Sequence, residues 1–145
     1  MSVNYNISSE LNLIIYPCKG LITGSELLKT ARLAYLDKRR RYGMVSIIDL
    51  LSAKVDFDLQ DLKQFISWEN ELKTNGFEPE KIVILTQNKG IHLTNEALNL
   101  MSSKVILKLN VFDSLENAIA SLGLSESLQE ILQFWKESKS LSEKL

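Results

Sequence analysis

Apolar residues recur at two spacings along this chain, and each spacing predicts one kind of secondary structure. Val3, Tyr5 and Ile7 alternate with polar neighbours, which is the period of a half-buried strand. The stretch LNLIIYP at 11–17 follows a polar turn and predicts the second arm of a hairpin. Three further apolar runs, rich in β-branched residues, predict buried strands at 44–50, 81–86 and 104–112.

Between these strands, apolar residues at intervals of three and four predict helices, and polar residues mark where the helices begin. Thr23 followed by Glu26 forms a capping box, in which each residue satisfies a free backbone amide of the other. Asp58 and Asp113 are the expected N-caps of two later helices. A further helix is expected at 91–102, and a last one near the carboxyl end.

Strands that alternate with helices in this order indicate a single layered α/β domain. We expect a mixed, mostly parallel sheet of about five strands with an N-terminal hairpin and flanking helices, because right-handed crossovers leave few other topologies. Residues 1–122 form the body of this domain in the prediction. Residues 123–145 add a C-terminal helix and a frayed polar tail that pack on the same domain.

Composition and charge exclude several classes of protein. The chain of 145 residues carries 17 basic and 18 acidic side chains, and a formal net charge of -1 provides no field that would attract nucleic acid. The one cysteine, Cys18, has no partner thiol for a disulfide or a zinc cluster. The N-terminus lacks a signal-peptide pattern and no apolar run is long enough to cross a bilayer, so we expect a soluble cytoplasmic protein.

Three stretches carry a resemblance to a known family: KGLITGSELL after the hairpin, RRYGMVSIIDL leading into a buried strand, and VFDSLENAIASLG near the end. Over residues 3–122 the sequence resembles bacterial SpoIIAA-like proteins, which are related in fold to STAS domains and more loosely to CRAL-TRIO lipid-binding domains. The resemblance implies an α/β fold, and it implies a fold more than it implies an activity.

STAS switches carry a phosphorylatable Ser or Thr at the start of the helix that follows the third strand. At that place this sequence has Leu59 and Gln60, while Ser52 lies several residues earlier, in what we expect to be a connecting loop. A phosphate at a helix N-terminus would be favoured by the free amides there, but the hydroxyl that would carry it is missing. We therefore expect that the resemblance does not extend to the phosphorylation switch.

Asp49, Asp56 and Asp58 are candidate ligand-binding residues between the buried strand and the next helix. Their oxygens suit a hard cation such as Mg²⁺, and Asp49 ends a strand where α/β folds bind ligands. Their spacing does not match a dedicated calcium loop, and Asp58 is already explained as a cap. We favour structural roles for all three and predict no metal and no cofactor.

No set of catalytic residues can be assembled from the sequence. His92 is the only histidine, and its helix pattern places it on the surface, so a histidine-based triad or metal pair has no second member. No G-x-S-x-G motif or glycine-rich phosphate loop is present. Glu69 falls near the centre of the apolar stripe of its helix, and we expect it to reach water beyond the sheet instead of being buried.

Four consecutive cations, Lys38, Arg39, Arg40 and Arg41, follow the first helix. They could contact anionic lipid head groups at a membrane surface. The alternative, which we prefer, is a solvated helix end, since Lys and Arg suit the exposed carbonyls of a last turn.

The helix expected at 91–102 has an apolar arc that covers nearly half of its circumference. Leu93 and Leu100 of this helix are candidate residues of an apolar-ligand groove or a dimer contact. The simpler alternative, which we expect first, is that the last helix, with Phe134 and Trp135, covers this arc. Trp68 lies at the flank of its own apolar stripe and is either an interface residue or the edge of the core.

Two classes of function follow from these patterns. The first is a non-enzymatic binding or regulatory module that acts through protein–protein contacts, with another protein or a second copy of the chain as its partner. The second is a carrier or sensor of a small apolar or lipid-like ligand, which the CRAL-TRIO likeness and the broad apolar helix favour. An enzyme ranks behind both, because no nucleophile can be paired with a base.

Overall fold

Six strands form one mixed sheet in the computed structural model, which describes residues 2–41, 43–56, 58–75, 81–88 and 109–143. The strands, in chain order, are β1 (Ser2–Val3), β2 (Asn6–Ser8), β3 (Leu13–Thr23), β4 (Val45–Asp56), β5 (Lys81–Leu85) and β6 (Leu109–Phe112). The short strands β1 and β2 both run antiparallel to β3 along the same edge, so together they form one arm of the predicted hairpin and β3 forms the other. The sheet is therefore five strand positions wide, in agreement with the sequence prediction.

The strands from β3 onwards are parallel, and each lies beside the one that precedes it in the chain, in the order β3-β4-β5-β6. Parallel neighbours need a crossover on a face of the sheet, and helices supply two of these crossovers among the described residues. The mostly parallel α/β architecture predicted from the sequence is thus confirmed.

The described helices, numbered in chain order, are α1 (Gly24–Tyr35), α2 (Leu59–Thr74), α3 (Leu115–Ser121) and α4 (Leu128–Glu143), with a 3₁₀ turn at Ser125–Ser127 before α4. The helix predicted at 91–102, with His92, Leu93 and Leu100, lies outside the described residues. Among the residues that are described, none of the helices combines the length and the apolar character that crossing a bilayer requires.

The sheet is buried on both faces, which explains why the parts of its central strands that lie in the core are mostly apolar. Successive residues of β3 point to opposite sides: Ile14 and Tyr16 contact the layer of α1 and α2, and Leu13 and Ile15 contact the layer of α3 and α4. Each fully buried Leu or Ile contributes about 1.5–3 kcal/mol relative to an exposed one, so the two layers together hold the helices against the sheet.

Polar side chains cap the N-termini of the helices, mostly at the predicted residues. The Oγ1 of Thr23 accepts a hydrogen bond from the Glu26 amide at 3.2 Å. At the start of α2 the exchange is reciprocal: the Asp61 amide donates to Asp58 Oδ1 at 2.8 Å, and the Asp58 amide donates to Asp61 Oδ2 at 3.1 Å. Asp58 is therefore a cap, and aspartate takes the place that glutamate has in a capping box.

The predicted cap at Asp113 was one residue too early. Ser114 has the extended backbone of an N-cap, and its Oγ accepts from the Asn117 amide at 3.2 Å. Asp113 supports this end from outside the helix, since its Oδ1 accepts from the Asn117 side-chain amide at 3.1 Å. Ser114, directly after Asp113, has the hydroxyl that accepts from the free backbone amide in the first turn of α3, so Ser114 and not Asp113 is the N-cap.

Strand β4 is longer than predicted, and Ser52 does not lie in a loop. The pairing of β3 with β4 shifts after Pro17–Asp49 and resumes at Lys19–Ser52, so β4 contains one extra residue, a β-bulge. After the bulge, the paired strands β3 and β4, which we call the β3–β4 ribbon, continue to Thr23 and Asp56. The extra residue shifts the alternation of side chains between the two faces of the sheet by one position. Ala53 therefore packs towards the α1–α2 layer after the bulge, as Leu50 does before it.

Replacing Gly24 with Ala should destabilise the protein by about 1–3 kcal/mol, although alanine is ordinarily the better helix former. A Cβ atom at position 24 would lie 2.5 Å from both Cβ and Cγ of Asp61, and moving Asp61 would also disturb the cap of α2. Urea unfolding measures the change. Ser25→Ala, in the same turn, is the matched control and should change the free energy of unfolding by less than about 0.5 kcal/mol. A Gly24→Ala protein as stable as the wild type would contradict the close contact.

Candidate functional site

Asp49 is a buried carboxylate in the middle of an apolar layer. It is 2 % exposed and lies at the point where β5 ends, in register with Leu85 on one side and with Pro17 on the other. Ligand crevices of α/β sheets form where the strand order reverses, and the described parallel strands progress in one direction without such a reversal. The strand-end position of Asp49 is therefore closed by packing instead of opening into a crevice.

Both oxygens of Asp49 accept hydrogen bonds from the protein. The Leu51 amide donates to Oδ1 at 3.0 Å, and the indole Nε1 of Trp135, on α4, donates to Oδ2 at 2.6 Å. The first bond satisfies an amide that the β-bulge removes from the regular ladder, and the second joins the sheet to the last helix. Lys139 Nζ lies 4.0 Å from the centroid of the Trp135 ring, which places a cation on the outer face of the indole.

A second polar contact holds α4 against the N-terminal hairpin. The buried hydroxyl of Ser138 donates to the Phe134 carbonyl at 2.8 Å and accepts from Asn6 Nδ2 at 3.1 Å. Trp135 and Ser138 lie almost one turn apart on α4, so the helix is fixed in rotation as well as in position.

The thiol of Cys18 is close enough to Asp49 to sense its charge. Burial raises the pKa of Cys18 to about 12, and the negative charge of Asp49 acts in the same direction. The thiol donates to the Tyr16 carbonyl at 3.5 Å. A protonated, buried thiol is not a nucleophile at neutral pH, so Cys18 acts as a core residue.

The structure does not bring the three candidate aspartates together. Asp56 is exposed at the end of β4, about 23 Å along the strand from Asp49, and Asp58 is occupied as the cap of α2. No group of three or more His, Cys, Asp or Glu side chains arranged for a metal ion occurs among the described residues. Leu93, Leu100 and the side chain of Glu69 lie outside the described part of the chain.

The basic run after α1 makes contacts within the chain. Arg39 holds Asp37 through Nε and Nη2 at 3.1 and 3.0 Å, and these hydrogen bonds keep the pKa of Asp37 well below its usual range. The guanidinium of Arg40 lies 3.9 Å from the centroid of the Tyr35 ring. Arg41 Nη2 donates to the Ser9 carbonyl. The three arginines therefore make contacts within the chain that hold the segment between α1 and β4.

A surface groove lies between α1 and α2, and it was not among the sites predicted from the sequence. It has a volume of about 650 Å³. Its floor contains two buried side chains, Leu28 of α1 and Trp68 of α2. Trp68 stacks edge-on against Tyr35, with ring centroids 5.7 Å apart, so it belongs to the core and closes the bottom of the groove.

The rim of this groove, which we call the α1–α2 groove, combines exposed leucines with charges of both signs. Leu33 is 55 % exposed and Leu36 is 80 % exposed, and among the described large apolar side chains outside the groove only Leu21 and Leu141 are exposed. Lys29 and Arg32 lie on the α1 side and Glu71 on the α2 side. Among the described residues no ion pair joins these three side chains to one another.

A signal for the groove was present in the sequence. The core-facing stripe of α1 contains Leu27, Leu28, Ala31 and Ala34, and Leu33 falls outside that stripe. A large apolar residue off the buried face of a helix indicates an additional contact surface. The partnership of Asp49 with Trp135 had no such signal, because nothing local joins positions 86 residues apart.

Replacing Trp135 with Phe should destabilise the protein by about 2–3 kcal/mol, because Asp49 Oδ2 then remains buried without a donor. The same substitution in an Asp49→Asn background should cost at least about 1 kcal/mol less, since the charge that needs the indole is gone. Chemical denaturation of the four proteins in this double-mutant cycle measures the coupling.

Trp68→Phe provides the matched control for this cycle. Trp68 lies in the α1–α2 layer, on the other side of the sheet, so its effect should add to that of Asp49→Asn within about 0.5 kcal/mol. Additive effects for Trp135 as well would show that the bond between the indole and Asp49 contributes little.

Raising the pH from 8 to 10.5 should destabilise the wild type more than a Cys18→Ala variant. The unfolded thiol has a pKa of 9.0 and the folded one a pKa of about 12, so its contribution is complete below pH 9 and is lost between these values. The expected slope from this group is about 1.4 kcal/mol per pH unit above pH 9. Urea unfolding at several pH values checks it, and identical pH profiles of the two proteins would contradict it.

Comparison with known proteins identifies the fold. No protein-family model and no curated protein matches the chain. Among solved structures, the chain is similar to an uncharacterized protein from the DUF3478 family with a SpoIIAA-like fold from Shewanella loihica PV-4. The identity is 13%, the match covers 83% of this chain and 92% of that chain, and the TM-score is 0.52. At this identity the likeness concerns the fold alone. The chain therefore has a SpoIIAA-like α/β fold, as its sequence predicted, while the link to CRAL-TRIO domains stays a prediction.

Proposed function

We propose that this protein is a non-enzymatic binding or regulatory module that acts through protein–protein contacts. The observation that carries the proposal is the α1–α2 groove, where Leu33 and Leu36 are exposed beside charges of both signs. Exposed apolar side chains with a polar rim are typical of protein-interaction sites. A groove between two helices is also a common place for a partner to lay an apolar face.

The roles of the predicted chemical groups support a binding function over catalysis. Asp49 holds the bulge and α4, Asp58 caps α2, and Cys18 is buried with a raised pKa. None of these three groups is free to act on a substrate in this arrangement. The carrier alternative depended on the CRAL-TRIO likeness, which stays a prediction, and on the helix at 91–102, which lies outside the described residues.

The proposed module lacks the phosphorylation switch of STAS domains. Helix α2 begins at Leu59, directly after its cap Asp58, and Gln60 follows. Ser52 lies within β4, paired with Lys19, and not at a helix N-terminus. The proposed module is therefore not regulated by a phosphate at the N-terminus of α2. The cytoplasmic location stays a prediction from the sequence.

Site-specific photo-crosslinking in the native host tests the proposal. A benzoylphenylalanine at position 36 should give adducts with polypeptide chains, because the exposed Leu36 side chain would face the bound partner. Introducing Leu33→Asp into the same protein should remove most of the adducts, because a buried, unpaired carboxylate opposes binding. Both leucines are exposed, so neither change should alter the melting temperature by more than a few degrees.

Leu141 on α4 is the matched control position, since this leucine is 50 % exposed and lies on the helix layer at the opposite face of the sheet. The same crosslinker at position 141 should give few adducts. Equal labelling from positions 36 and 141, or no adducts from position 36, would refute the α1–α2 groove as the functional surface.

A further inference from the structure

We infer that the partner at the α1–α2 groove is a second copy of this chain, bound through a two-fold symmetric contact. The inference deepens the proposed function and rests on it. It is carried by the self-complementary character of the groove, which contains apolar projections, an apolar floor and charges of opposite sign on its two walls.

The charges of the groove divide between its two walls. Lys29 and Arg32 lie on α1, and Glu71 lies across the groove on α2. A two-fold axis that places α1 of one copy over α2 of the other brings the cations of each copy to Glu71 of its partner. An isologous contact makes every such pair twice, so one complementary pair of walls stabilises both halves of the interface.

The apolar residues fit the same arrangement. Leu33 and Leu36 project from α1, and the floor over Leu28 and Trp68 is the apolar surface that such projections would cover. Within one chain, Leu33 and Leu36 cannot cover the floor over Leu28 and Trp68, because the leucines project outward from the same packed pair of helices that forms the floor. A second copy supplies the projection and receives one in return.

The size of the surface indicates a weak, exchanging dimer. Helix α1 has 12 residues and is about 18 Å long, and two helices side by side are about 20 Å wide, which gives roughly 360 Å² of projected area per copy. A standard stable interface buries about 800 Å² per partner. Association should therefore depend on concentration in the micromolar range, where charge repulsion has a large effect on the equilibrium.

Sedimentation velocity from about 10 µM to about 500 µM tests the inference with two single charge reversals. The wild type should shift from monomer towards dimer over this range. Arg32→Glu makes the groove wholly acidic apart from Lys29, and Glu71→Arg makes it wholly basic, so each variant alone should associate at least about tenfold more weakly.

An equal mixture of the two variants provides the decisive measurement. In a mixed dimer, the carboxylate introduced at position 32 of one copy faces the guanidinium introduced at position 71 of the other. The second contact keeps the native pair of Arg32 and Glu71, so the mixture should regain dimer at wild-type concentrations. Leu141→Asp, on α4, is the control and should associate like the wild type. Circular dichroism should show that each variant is folded, as expected for changes at exposed residues.

A wild type that stays monomeric across the range, or single variants that associate like the wild type, would overturn the second-copy inference. So would a mixture that stays monomeric while the wild type dimerises. The crosslinking experiment separates this failure from that of the proposed function: adducts from position 36 with a different protein, beside a monomeric wild type, would leave the groove as a binding surface. The absence of both adducts and dimer would refute the proposed function as well as the second-copy inference.

Discussion

Asp49 accepts two hydrogen bonds inside a mostly apolar layer, one from the Leu51 amide of its own strand and one from the Trp135 indole, which joins the sheet to its last helix. A buried carboxylate costs several kcal/mol unless donors compensate it, so Asp49 requires both the Leu51 amide and the Trp135 indole. Leu51 provides its amide only because the strand bulges there. Trp135 provides its indole only if α4 lies at one position and rotation on the sheet. One desolvated group thereby links the bulge of β4 to the placement of the C-terminal helix.

The bulge at Asp49 has consequences on the other face of the sheet. Beyond it the alternation of β4 is re-phased, and the β3–β4 ribbon continues past the end of β5 to the caps of α1 and α2. Thr23 at the end of β3 and Asp56 at the end of β4 are paired, so both helices start from the same end of the ribbon. Gly24 then allows α1 to approach Asp61 closely. The α1–α2 groove is formed by this pair of helices, and its walls are therefore positioned by the strand ends.

The roles of the polar residues within the fold support the proposed binding function over a catalytic one. Asp49, Asp58 and Ser138 complete backbone or side-chain hydrogen bonds within the fold, and Asp37 anchors Arg39 in the turn after α1. The polar and apolar groups that remain exposed on α1 and α2 lie together on one surface. A contact surface of this kind needs no activated group, only complementary shape and charge.

The sequence by itself determined the strands, most helix starts and the layered parallel architecture, because these depend on local periodicity and on caps within three residues. It placed the end of β4 too early, since Lys54 and Asp56 resemble a polar loop when the bulge that re-phases them is unknown, and it chose Asp113 where Ser114 is the cap. Only the tertiary structure decided that Asp49 is bound by Trp135 and that Leu36 remains exposed. Contacts between residues far apart in the chain depend on how the layers pack, and no local pattern encodes that packing.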